Sequence, residues 1–206
     1  ILVPIFLTDI VILHALTKNE HAEQLHQMEK IAKSVQSMLS AATEDSALIS
    51  TSLYMDNSLQ DFVSRQYASP QDYFSSYYIH NSLLQGVSRI TNSVIRVYAD
   101  NETLINGSEF ARLSTVSQEP WYQQYTADGY SPRLLFSYDE TDGRQVLFLR
   151  GMNGLYSDKA ECLLCIEINY STLDRDFQNM GYNDSVYVCS GNRILLTNAM
   201  PNYRWP

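Results

Sequence analysis

The residue types that most often carry chemistry are present, but their spacing does not bring them together. Of the four histidines, His14, His21 and His26 stand seven and five apart along one helical stretch, and His80 lies on a second. Such spacing does not converge on a metal, so they read as helix-surface side chains. Cys162 and Cys165 fall in the apolar run Glu161–Ile168, which reads as a strand. Residues three apart on a strand point to opposite faces, so this pair neither bridges nor shares a metal. With Cys189 the cysteine count is odd, which argues against a disulfide-stapled scaffold. Carboxylates are plentiful, but there is no phosphate loop, no HExxH and no GxSxG. Asp139 and Glu140, at a turn between two strands, are the acids that a secreted or membrane-tethered hydrolase would use, and no motif joins them to a partner. No catalytic residue, metal or cofactor is assigned.

Binding chemistry is better supplied. Fifteen tyrosines serve either as half-buried packing or as the wall of an aromatic pocket. The net charge is −9, and the fourteen Lys and Arg residues are scattered singly, so a nucleic-acid surface is not expected. Four N-x-S/T sequons start at Asn101, Asn106, Asn169 and Asn183.

The elements that must position these residues begin with a long helix. From Leu25 to Leu53, positions 25, 28, 32, 35, 39, 42, 46, 49 and 53 alternate by three and four, and all but Ser46 are apolar. That spacing draws one stripe along a helix face. The phase fails at Asp56 and resumes with Leu59, Phe62, Val63 and Tyr67. With no Gly or Pro before Pro70, one helix is expected from Lys18 to about Gln66, changing partners at Asp56. Ser69-Pro70-Gln71-Asp72 then supplies an N-cap, a first-turn proline and a first-turn acid for a second helix ending near Ile90.

Strand signals follow. Ser93–Tyr98 reads as a strand, Ala99–Asn101 as a turn, and Glu102–Ile105 as a second short strand closed by Asn106-Gly107. Ser117–Pro120 caps a short helix through Trp121–Tyr125. Leu134–Tyr138 and Gln145–Arg150 form a second hairpin, Leu163–Ile168 is a strand, and Ser171 opens a helix to about Met180. A last hairpin joins Ser185–Cys189 to Arg193–Thr197. Helices first and then about five antiparallel strands is an α+β pattern. Ahead of everything, residues 1–17 are strongly apolar and run into the long helix unbroken, as the end of a transmembrane helix would, although Asp9 is costly in lipid.

This order resembles the extracytoplasmic double-Cache (PAS-like) sensor region of YesM-type bacterial sensor histidine kinases. The resemblance is carried by Ile1–Leu7 as a membrane-helix end, by Asn92–Asn101 as the first sheet hairpin, and by Glu119-Pro-Trp-Tyr122 as the helix over the pocket. Cys162–Leu173 matches the last strand and exit helix. It implies residues 18–90 as a long signalling helix plus a second helix, and 91–182 as a membrane-distal module with a five-stranded antiparallel sheet. Residues 183–206 would begin a membrane-proximal module. Carried over by position, the ligand site would comprise Arg96, Tyr98, Trp121, Tyr122, Arg150 and Glu167, offering aromatic faces, guanidinium forks and an acid. Amino-acid-binding members tend to carry Arg where Glu119 stands and Asp where Glu167 stands, so the resemblance implies a sugar-like solute rather than an α-amino acid. It further implies a region outside the cell membrane, tethered by its N-terminal segment, with a homodimer through the long helix and a kinase as output. Chemoreceptors and cyclases share the fold. An adhesin-like stalk, lifting a domain off a surface without a ligand, is a rival from another class.

Overall fold

The computed structural model describes residues 2–127, 129–139, 143–152, 162–190 and 193–199. The chain forms two compact units, Ile1–Ser40 and Ala41–Pro206. The first lies within helix α1 (Leu2–Tyr54), which takes in the apolar start of the chain without a break. There Leu25 and Met28, both on the stripe, are 68% and 67% exposed. Among the described residues no helix is long and apolar enough to cross a membrane.

The second unit begins with the last turns of α1. The helix does not continue to Gln66 as its composition suggests; it stops at Tyr54, and a separate helix α2 (Asn57–Ser64) follows. Asp56 is the cause. Its backbone is extended and its carboxylate accepts from the N–H groups of Ser58 and Leu59, at 2.9 and 3.1 Å, capping a new helix. The Gln60 side chain donates to the Tyr54 carbonyl and closes the end of α1. The phase break thus marks the helix end. No change of partner accompanies it, because Leu53 and Leu59 enter the same core.

Helix α3 (Pro70–Thr91) starts where its cap chemistry places it, with the Ser69 hydroxyl accepting from Asp72 N–H at 3.2 Å. It ends at Asn92 in the left-handed region (φ 50°), which asparagine tolerates well. Its inner face carries Tyr73, His80 and Leu84. Phe62 of α2 is the hub, with ring centroids 4.5 Å from His80, 4.8 Å from Phe110 and 5.6 Å from Tyr73. His80 is therefore buried, not a surface residue. Its Nδ1 faces the Ser76 carbonyl at 3.0 Å, which can only accept, so Nδ1 donates; Nε2 is then free to accept from the Ser58 hydroxyl at 3.0 Å.

Five strands form one sheet: β1 (Ser93–Ala99), β2 (Phe110–Arg112), β3 (Arg133–Asp139), β4 (Gly143–Met152) and β5 (Cys162–Ile168), in the order β2-β1-β5-β4-β3. The architecture is α+β, as the order of signals implies, but the sheet is mixed. Glu102–Ile105 is not a returning strand; the chain crosses over and β2 runs parallel to β1, pairing Val97 with Phe110. Leu104, fully buried, anchors the crossover, and Arg112 Nε donates to its carbonyl at 2.8 Å. A fixed crossover of this kind cannot fold back as a hairpin. The other pairs are antiparallel.

Strand alternation divides the core in two. One face carries Ile95, Val97, Phe148, Leu164 and Ile166 against α2 and α3. The other carries Tyr98, Leu147, Leu149, Leu163 and Cys165. Over that second face lies helix α4 (Pro120–Ala127), reached through a short 3₁₀ turn, Leu113–Val116. Cys162 and Cys165 sit on opposite faces of β5, as alternation requires. After helix α5 (Tyr170–Asn179), strands β6 (Tyr187–Ser190) and β7 (Arg193–Thr197) form a separate two-stranded sheet. This hairpin docks on α5: Tyr170 Oη donates to the Leu195 carbonyl and Gln178 Nε2 to the Thr197 carbonyl, each at 2.8 Å, with Leu196 fully buried.

Candidate functional site

The sheet face beneath α4 gathers most of the residues that the sequence singles out. Arg96 and Tyr98 are two apart on β1, and Glu167 lies on the neighbouring β5, in diagonal register with Arg96. Arg96 Nη1 and Glu167 Oε2 are 3.6 Å apart, with their side chains 41% and 25% exposed. Arg96 also lies close enough to the Tyr98 hydroxyl to act on its titration. Burial pushes that phenol up to about 12, with Cys165 adding to the shift and Arg96 opposing it. Burial alone would lower the Arg96 pKa, but Tyr98 and Glu167 outweigh it and hold the guanidinium charge firmly in place. The trio is a guanidinium and a carboxylate, both partly open to solvent, beside a buried neutral hydroxyl, and the two charged groups can donate to and accept from a polyhydroxylated molecule.

Above it, α4 turns Trp121 and Tyr125 toward the sheet, as residues four apart on a helix must. The Trp121 ring lies 6.2 Å from that of Tyr98 and 6.0 Å, edge-on, from that of Tyr122. Trp121, Tyr98 and Tyr125 are buried and form the second core with Leu147, Leu149 and Leu163. Tyr125, which the sequence did not single out, fixes the helix to the sheet. Its hydroxyl donates to the Tyr130 carbonyl at 2.7 Å and accepts from Gly151 N–H at 2.6 Å. Tyr122 is half-buried and turned toward Tyr130; burial raises its pKa first, and Tyr130 and Asp100 add to it.

Arg150 stands apart from the other five. On β4 the odd positions Leu147 and Leu149 face α4, so Arg150 faces the opposite side. There its Nη1 donates to Thr51 Oγ1 at 2.7 Å and Ser50 Oγ at 3.2 Å, and its guanidinium lies 4.8 Å over the Tyr54 ring. It clamps the last turns of α1 to the sheet and takes no part in the face under α4.

Glu167 also borders a second feature. A groove of about 780 Å³ opens where the end of α3, the start of β1, the end of β5 and the start of α5 meet, and Arg89, Asn92, Arg144 and Tyr170 line it. None of these four carries a spacing signal; only the fold brings them together. As for rival chemistry, Glu140 and the side chain of Asp139 lie outside the described residues. Among the described residues no group of three His, Cys, Asp or Glu is placed to hold a metal. Burial pushes the Cys165 thiol up to about 12, so it is not a nucleophile at neutral pH.

No protein-family model matches this chain, and no curated protein matches it either.

Proposed function

We propose that the chain is the extracytoplasmic, solute-sensing input region of a membrane-bound sensor histidine kinase of the double-Cache kind. The observation that carries this reading is the Arg96–Glu167 pair, partly open beside the buried Tyr98 on the sheet face that the Trp-Tyr helix covers. Two elements support it: a long leading helix and a five-stranded sheet in an α+β fold. The ligand is a sugar-like solute, since Arg96 and Glu167 offer donors and acceptors to hydroxyls, and the half-buried Tyr122 beside Trp121 offers an aromatic face. Residues 1–17 belong to a membrane helix, residues 183–206 begin a membrane-proximal module, and the kinase lies elsewhere in the full protein.

Signalling runs through α1. Leu25 and Met28 leave the stripe uncovered in a single chain, which suits pairing with a second copy. Ligand occupancy then biases two arrangements of the paired helices, by no more than the difference in its affinity for them.

The test is a thermal-shift screen of the chain against sugars, amino acids and organic acids. A solute at a hundred times its Kd adds about 2.7 kcal/mol, roughly 5–10 °C for a domain of this size. At least one sugar is expected to give such a shift, and R96Q or E167Q to abolish it. No shift with any solute, or a shift that both substitutions leave intact, overturns the proposal.

A further inference from the structure

We propose that the groove at the junction of α3, β1, β5 and α5 is an oxyanion-binding site, held by Arg89 and Arg144 and distinct from the face beneath α4. Arg89 is in the last turn of α3 and Arg144 in the first residues of β4, yet both line one groove of about 780 Å³. That volume holds a molecule the size of a sugar phosphate or a small di-acid.

Charge is the first argument. The chain carries 23 acids against 14 bases, so an arginine has ample choice of carboxylates. Arg65, Arg96, Arg112 and Arg175 each have one within 4 Å. Arg89 and Arg144 have none among the described residues. The acid in the groove lining, Glu167, is engaged by Arg96. Among the described residues the groove therefore presents two guanidiniums with no carboxylate beside them, and an anion is what balances them.

Geometry is the second. Arg144 Nη1 donates to Tyr170 Oη at 2.8 Å and to the Leu195 carbonyl at 3.5 Å. Those bonds orient the guanidinium and leave its Nε and Nη2 donors uncommitted among the described residues. Asn92 and Ser171 add polar groups to the wall, and the positive end of α5 points the same way. A smaller groove of about 500 Å³ shares Arg144 and Tyr170 and brings in Arg193, extending the same sign of charge toward the β6–β7 hairpin. Carboxylates and phosphates share the chemistry that this site reads, namely two or more oxygens on a negative centre.

The experiment is calorimetric titration of the chain with inorganic phosphate and, separately, with malonate, at ionic strength held constant with sodium chloride. Saturable binding of at least one anion is expected, and the tighter of the two identifies a phosphate or a carboxylate site. R89Q removes no hydrogen bond or ion pair among the described residues; it is expected to keep the fold and to weaken binding at least tenfold, and R89Q/R144Q to abolish it. R96Q, which frees the Glu167 carboxylate in the groove wall, is expected to weaken it as well. Failure of both anions to saturate, or unchanged affinity in R89Q, overturns the site. The two proposals fail separately: a neutral-sugar response that R89Q leaves intact belongs to the face under α4, whereas anion binding that R89Q weakens belongs here.

Discussion

Asn101→Asp is expected to destabilise the protein severely at neutral pH and mildly in acid. Asn101 is 3% exposed and uses every hydrogen-bonding position of its amide. Its Nδ2 donates to the carbonyls of Val63 and Arg65, at 3.0 and 2.8 Å. Its Oδ1 accepts from the N–H and hydroxyl of Thr103, at 3.0 and 2.7 Å, and the Thr103 hydroxyl in turn accepts from Tyr67 N–H. One side chain thus ties the end of α2 to the β1–β2 crossover. Aspartate has the same shape but sets a carboxylate oxygen against two carbonyls. The folded state escapes by keeping that carboxyl protonated. Holding a group of usual pKa ~3.9 protonated at pH 7 costs about 4 kcal/mol, at about 1.36 per unit. A protonated carboxyl replaces only one of the two donors, and the lost bond adds about 1–2 kcal/mol. The deficit is thus about 5–6 kcal/mol at pH 7, comparable to the whole stability of many domains. For the sign: the folded pKa lies above the unfolded one, so the folded state binds the extra proton, and the deficit grows as pH rises and shrinks as it falls. Urea unfolding followed by tryptophan fluorescence, wild type against variant at pH 7 and pH 4.5, measures it. The deficit should fall by about 3 kcal/mol between them; equal deficits at the two pH values would refute the argument. The same bonds commit the Asn101 amide nitrogen, so this sequon cannot accept a glycan once the chain has folded.

Two further outcomes follow from buried groups. Thiol titration of the native protein should find one reactive cysteine, Cys189, and three after denaturation, because Cys162 and Cys165 are buried; three reactive thiols in the native state would contradict the packing of β5. Tyr98 and Cys165 both hold their protons up to about 12, above their usual 10.0 and 9.0, so the folded state keeps protons that the unfolded chain releases. Stability should be fully present below about pH 9 and fall as pH rises toward 12, and thermal melts of Y98F should show a shallower decline than wild type.

What was legible in the sequence was local. The start of α3 could be read from Ser69, Pro70 and Asp72 because a cap bonds to groups two or three residues away. The two faces of β5 could be read from Cys162 and Cys165 because alternation needs nothing but the strand itself. The end of α1 was half legible: the stripe recorded a change of phase at Asp56, but with no Gly or Pro there, capping by an aspartate inside a helical pattern looked like continuation. The parallel placement of β2 was not legible at all. It depends on Leu104 finding the core and Asn101 finding carbonyls 36 and 38 residues earlier in the chain, and no window of sequence contains both ends of those bonds.

The candidate site shows the same limit more sharply, because a binding face is decided by parity. Arg96, Tyr98 and Glu167 came out together because each lies an even number of positions from another along its strand or across the β1–β5 register. Arg150 failed by one residue. Leu149 pairs with Cys165 and faces α4, so its neighbour must face Tyr54. A single-residue bulge anywhere between Gly143 and Arg150 would have reversed this, and a bulge leaves no reliable mark in sequence. Arg89 and Arg144 were beyond reach for the opposite reason: no periodicity links a helix end to a strand start 55 residues on. What marks them is that they line one groove with no carboxylate within ion-pair distance of either among the described residues, and that exists only once the neighbours are known. Residues that pack announce themselves by pattern, whereas residues that wait for a ligand are recognised by the partner they lack.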